Sequence, residues 1–148
     1  MNVKHILLTT DLSPESLHPC KPVGDLARTV GAQITLLHVL EETRMAPHGA
    51  SLAPPVTPLF SEEHEKHAEL VLEEQCAYLG ADVDVTTRVL RANDIATAVA
   101  DYAHENEVDL ICLSTHGRTG FRHLVLGSVA EAIIRRSKVP TLSFPQPK

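Results

Sequence analysis

Five short apolar runs alternate along this chain with four stretches that carry helix start and stop signals. No other feature restricts its topology as much. The runs are Val3 to Leu8, then QITLLHVL from Gln33, VDVTTRVL from Val83, VDLICLS from Val108 and PTLSF from Pro140. Short, nearly continuous apolar runs suit strands that are buried on both faces. Parallel neighbours need right-handed crossover connections, so this alternation implies a mostly parallel sheet with helices on both of its faces. The expected fold is an open five-stranded α/β sheet of Rossmann-like form, built as one domain over residues 1–148.

The helices are bounded by local chemistry. Pro14, Pro19 and Pro22 follow the first strand, and each lacks an N–H. The first helix should therefore begin near one of them and run to Val30, with Gly31 as its stop. The second should be capped by Ser61, carry Glu62 and Glu63 in its first turn, end at Gly80 and turn Leu70, Val71, Cys76 and Leu79 inward. The third, DIATAVADYAHEN, has Asn93 or Asp94 as its cap, and the fourth is SVAEAIIRRS. Between them, residues 41–60 hold four prolines and no period, which reads as a long surface loop rather than a lid.

Composition removes several classes of function. A net charge of -6 disfavours partnership with nucleic acid or an acidic membrane surface. The three cysteines form no CxxC pair, the N-terminal MNVKHILLTTDLS lacks the apolar core of a secretory signal, and no apolar stretch approaches the ~20 residues of a membrane helix. A cytoplasmic setting is expected. A P-loop would place GxxxxGK[ST] after the first strand, where TTDLSPES stands instead. Asp11 has no acidic neighbours of the kind a phosphorylatable receiver domain needs, and a chain with three Phe, two Tyr and no Trp offers little to a flavin. His64 and His67 lie one helical turn apart without a third ligand defined by spacing, so no protein metal site is expected. Pairing His116 with Ser128 or Cys112 gives no convincing nucleophile and base, so dedicated catalysis is not expected, and at most slow ATP turnover.

The segment STHGRTGFRHLVLGS, Ser114 to Ser128, carries the main functional signal. In open α/β sheets ligands bind outside the carboxyl ends of the strands, where the strand order reverses. With strands one and four as central neighbours, Asp11 and the Ser114 loop flank the same crevice. Glycines let backbone amides approach a ligand, and Gly127-Ser128 opens a helix whose first N–H groups favour anions. Each feature alone is more often a plain turn or N-cap; together they point to phosphate binding.

These same residues resemble the C-terminal half of universal stress proteins of the UspA type, and KHILLTTDLSPES, ITLLHV and VDLICLSTHG extend the resemblance along the chain. It implies the strand order 3-2-1-4-5 and the adenine nucleotide alpha hydrolase-like variant of the fold. The family's nucleotide-binding pattern Gly-x2-Gly-x9-Gly-(Ser/Thr) falls on Ser114, Gly117, Gly127 and Ser128, with serine in place of the first glycine. By resemblance Asp11 would contact the ribose side and the Val39 backbone the adenine. Thr10, Arg118 and Val129 complete the expected site for ATP, or for ADP or AMP, with Mg2+. His116 is expected to orient the loop, and Arg122 and His123 to remain at the surface. In place of the family's Gly-x-Pro before the third helix stands Asn93-Asp94-Ile95, where Asn93 can supply left-handed backbone. The resemblance also implies a homodimer through the last strand, with Val139, Leu142 and Phe144 in contact. A phosphate site that orders the Ser114 to Ser128 loop is expected to let nucleotide tune loop order and the choice of unknown protein partners. A stress protein that binds no nucleotide and acts through dimerisation and partner contacts stays open as the alternative.

Overall fold

In the computed structural model, residues 2–42, 62–115 and 127–145 are described. Strands β1 (His5–Thr9), β2 (Gln33–Glu41), β3 (Val85–Ala92), β4 (Leu110–Ser114) and β5 (Thr141–Phe144) alternate with helices α1 (Cys20–Val30), α2 (Glu62–Cys76), α3 (Ile95–Glu105) and α4 (Ser128–Arg136). The five strands form one sheet in the order β3-β2-β1-β4-β5, and every neighbouring pair is parallel. Strand order and layering agree with the sequence reading.

Side chains alternate across the sheet and build two cores. On one face Ile6, Leu8, Ile34, Leu36 and Cys112 pack under Val23 and Ala27 of α1 and Leu72 of α2. On the other, Leu7, Leu37, Val39, Ile111 and Leu113 pack under Val99 and Ala103 of α3 and Ala130 and Ile133 of α4. The fully buried Leu7, Leu8 and Ile111 put β1 and β4 at the centre of the structure.

The helix boundaries follow from their ends. Gly31, at φ 68°, stops α1, and its N–H bonds Ala27 O. Asp94 rather than Asn93 caps α3, its side chain accepting from Thr97 N at 2.9 Å. The left-handed turn expected of Asn93 is not used, since among the described residues only Leu12 and Glu107 are non-glycines with positive φ. The proline-rich stretch is more broken than expected: a short 3-10 turn, Pro14–Leu17, precedes α1. Strand β3 lies two residues further along than the run VDVTTRVL, and Glu41 closes β2 instead of opening a loop.

One inward stripe needs correction. Leu70 is 60% exposed, and Val71 and Cys76 are half-buried, while α2 buries Ala68, Leu72 and Gln75, followed by Leu79 in the turn beyond. At ~100° per residue, steps of three and four keep those four on one side, whereas Leu70 lies ~200° around the helix from Ala68. Leu79 matters for a second reason: a Cβ on Gly24 would stand 1.9 Å from its carbonyl oxygen, so α1 and the turn after α2 touch backbone to backbone.

Candidate functional site

Strand β1 is shorter than both of its neighbours at the carboxyl edge. Its pairing with β2 ends at Thr9 and Leu37, whereas β2 continues beside β3 as far as Glu41 and Ala92. On the other side β4 pairs with β5 through Ser114 and Phe144, two residues past Cys112, the last partner of β1. The result is a notch above β1, walled by main chain.

Backbone parity identifies which groups face this notch. Gln33 N bonds Lys4 O and Leu37 O accepts from Thr10 N, so odd-numbered peptide groups of β2 point towards β1, while Ile34 N bonds Asp84 O on the β3 side. The N–H and C=O of Val39 therefore point at the notch, and its side chain lies buried in the second core.

At the floor the chain leaves the sheet through Thr10, Asp11 and Leu12, the last at φ 65°. Asp11 Oδ1 accepts from Ser13 N at 3.0 Å and Ser13 Oγ at 2.5 Å, so one carboxylate oxygen shapes the turn. Among the described residues no hydrogen bond engages Oδ2. Thr10, 8% exposed, is the hub of a buried polar chain. Its Oγ1 accepts from Leu12 N at 3.0 Å, lies 2.7 Å from Ser16 Oγ and meets the Gln75 carboxamide oxygen at 2.9 Å. Ser16 Oγ donates to Ser13 O at 2.6 Å. Sequence reasoning missed Ser13, Ser16 and Gln75. Only the position of Gln75 on the stripe of Ala68 and Leu72 carried a signal for them.

The β4 wall ends in Ser114. Its backbone does not take the left-handed conformation that would demand glycine, so a serine is accommodated without strain at this position of the pattern. Thr115 N bonds Phe144 O at 3.2 Å, and Gly127 N returns to Thr115 O at 2.9 Å, bringing the start of α4 back to the end of β4. A Cβ on residue 127 would lie 3.0 Å from Thr115 O, which favours glycine there. Gly127 is the N-cap without a side-chain cap bond, and Ser128 stands one place inside the helix, so Ser128 does not cap it. Ser128 and Val129 are exposed. Gly117, Arg118, His116, Arg122, His123 and Ser61 lie outside the described residues, as do positions 43–60.

Ionisation leaves Cys20 and Cys112 inert. Burial pushes the Cys112 thiol up to about 12, and burial followed by the nearness of Cys76 pushes Cys20 up to about 11. Neither offers a thiolate nucleophile. At the sheet edge, Leu142 of β5 is 40% exposed, while Val139 and Phe144 are half-buried against the two cores.

A doubly wound parallel sheet with a notch over a short first strand defines an open α/β protein, a fold class whose ligands, where bound, lie outside the carboxyl ends of the strands. The chain belongs to the universal stress protein family: the profile described as the Universal stress protein family matches residues 2–145. It is 30% identical over 134 residues to universal stress protein A homolog 1 of Coxiella burnetii, covering 90% of each chain. Among solved structures it superposes on UspA from Lactobacillus plantarum with a TM-score of 0.78 at 19% identity, covering 97% of this chain and 99% of that one. It also resembles a universal stress protein in complex with cAMP (TM-score 0.69, 18% identity, 98% of each chain) and one from Archaeoglobus fulgidus in complex with dAMP (0.69, 16%, 97% and 98%). No described helix is long and apolar enough to cross a membrane.

Proposed function

We propose that the notch above β1 binds an adenine nucleotide and that this chain acts as a nucleotide-dependent regulatory dimer in the response to stress. The observation that carries the reading is the convergence at one crevice of the Val39 peptide, the Asp11 carboxylate and the start of α4, which has no side-chain cap. The complexes of similar proteins with cAMP and dAMP support adenine as the base. In this reading the Val39 backbone meets the base edge and Asp11 accepts from a ribose hydroxyl beside Thr10. Phosphates sit against Ser114, Gly117, Arg118, Gly127, Ser128 and Val129, where first-turn N–H groups and the helix dipole favour negative charge.

ATP is the proposed ligand, with ADP and AMP sharing the same base and ribose contacts. Its Mg2+ would be held by phosphate oxygens and water. Dimerisation is proposed through β5, an edge strand whose Leu142 is exposed. That exposed edge also supports a second reading, a stress protein that works through dimerisation and partner contacts alone.

Isothermal titration of the nucleotide-stripped protein with magnesium-ATP separates the two. Saturable binding is expected, and Gly127→Val should abolish it, because its side chain fills the space against Thr115 O. A folded dimer that takes up no nucleotide would leave the second reading standing.

A further inference from the structure

A parallel ladder continued one rung past Thr9 would have Thr10 O accept from Val39 N, just as Leu37 O accepts from Thr10 N at 3.0 Å. That rung is not made among the described residues. In its place His38, the residue before Val39, brings its ring Nδ1 to 2.8 Å from Thr10 O. A carbonyl can only accept, so Nδ1 carries the proton and the imidazole is fixed in one tautomer at this contact. The ring lies on the opposite side of β2 from the Val39 side chain, since even-numbered residues of this strand face α1 and α2. It therefore satisfies the Thr10 carbonyl, the first beyond β1, without entering the second core.

We propose that His38 is a positioning residue. By taking the Thr10 carbonyl, it ends the β1–β2 ladder one rung early and keeps the Val39 N–H and C=O directed at the notch as a donor and acceptor pair for a base edge. This inference rests on the nucleotide reading for its ligand but not for its structural core. Adenine presents an acceptor ring nitrogen beside a donor amino group, the complement of a peptide N–H beside a C=O. A strand zipped one rung further would have only its carbonyl to offer.

His38→Phe keeps a ring and removes the donor; His38→Asn restores an N–H near the position of Nδ1. Hydrogen exchange at the Val39 amide, followed by NMR in the nucleotide-free protein, reads the ladder directly. The amide should exchange freely in wild type, become severalfold slower in His38→Phe as it pairs with Thr10 O, and exchange freely again in His38→Asn. Equal exchange in wild type and His38→Phe would overturn the proposal.

The ligand readout compares AMP with 1-deazaadenosine 5′-monophosphate, which keeps the 6-amino group and lacks the ring nitrogen that would accept from the Val39 N–H. Wild type should prefer AMP by about 3–10-fold, the value of one base-edge hydrogen bond, and His38→Phe should bring the ratio towards one. An unchanged preference in His38→Phe would also overturn it. Slowed Val39 exchange in His38→Phe with neither nucleotide bound by any of the proteins would uphold the capping role and refute the nucleotide reading.

Discussion

Gly24→Ala sets two effects of opposite sign against each other. Residue 24 lies inside α1, where alanine is favoured over glycine by ~1 kcal/mol through helix propensity. The new Cβ, however, would stand 1.9 Å from Leu79 O, 2.8 Å from Leu79 C and 3.2 Å from Leu79 Cα. An ordinary carbon to oxygen contact is about 3.3 Å or more, so α1 and the turn after α2 must separate by roughly 1.4 Å. The obstacle is main chain and cannot rotate away, which places the cost near the upper end of the ~1–3 kcal/mol typical of overpacking. A net loss of about 1–2 kcal/mol follows, equivalent to a melting temperature lowered by roughly 3–7 °C for a chain of this size. Urea unfolding followed by far-UV circular dichroism gives the free energy, and a thermal scan gives the shift. A variant as stable as wild type, or more so, would mean that α1 and Leu79 are not in backbone contact, and the packing argument would fail.

Asp109 Oδ2 accepts from Lys4 N at 2.7 Å and His5 N at 2.9 Å, and these bonds hold its carboxyl below the ordinary value. A carboxylate depressed in the folded state contributes stability above its unfolded value of about 3.9, lost as pH falls through that value towards the folded one. Asp109→Asn should therefore flatten the acid limb of the stability profile below about pH 4, and a limb as steep as wild type would remove Asp109 from that role. Cys20 and Cys112 should resist a thiol reagent at pH 8 until the chain unfolds, with the half-buried Cys76 reacting first; rapid labelling of Cys112 in the folded protein would contradict its burial. Leu142→Lys should shift the proposed dimer towards monomer in native mass spectrometry, and an unchanged dimer would exclude β5 as the interface.

The sheet was legible in the sequence because its information is local. Gly31 stops α1 where a left-handed residue is required, and the continuous apolar run VDLICLS matches a β4 buried from Leu110 to Leu113. The inner face of α2 was misjudged for a physical reason. Apolar character pointed at Leu70, while Gln75, a polar residue only 4% exposed, occupies the buried stripe because its carboxamide finds Thr10, 65 positions away. Such long-range pairing leaves no periodic trace. The candidate site divides in the same way. Asp11 and Gly127 could be singled out from spacing and resemblance, but the extra length of β2 past β1 and the contact of His38 with Thr10 O depend on register, which composition does not record.

The overhang of β2 beyond β1 also bears on inheritance. Where a pocket wall consists of peptide groups, the identity of the side chain behind each group is free to drift so long as the strand persists. Val39 exchanged for Ile or Thr still presents the same N–H and C=O to the notch, so a lineage can rewrite much of this edge and keep the same peptide groups there. Proline at 39 is the exception, because it deletes the N–H that faces the notch. A saturation library along β2 should therefore record a tolerance for apolar and β-branched replacements at position 39 and a sharp gap at that one residue.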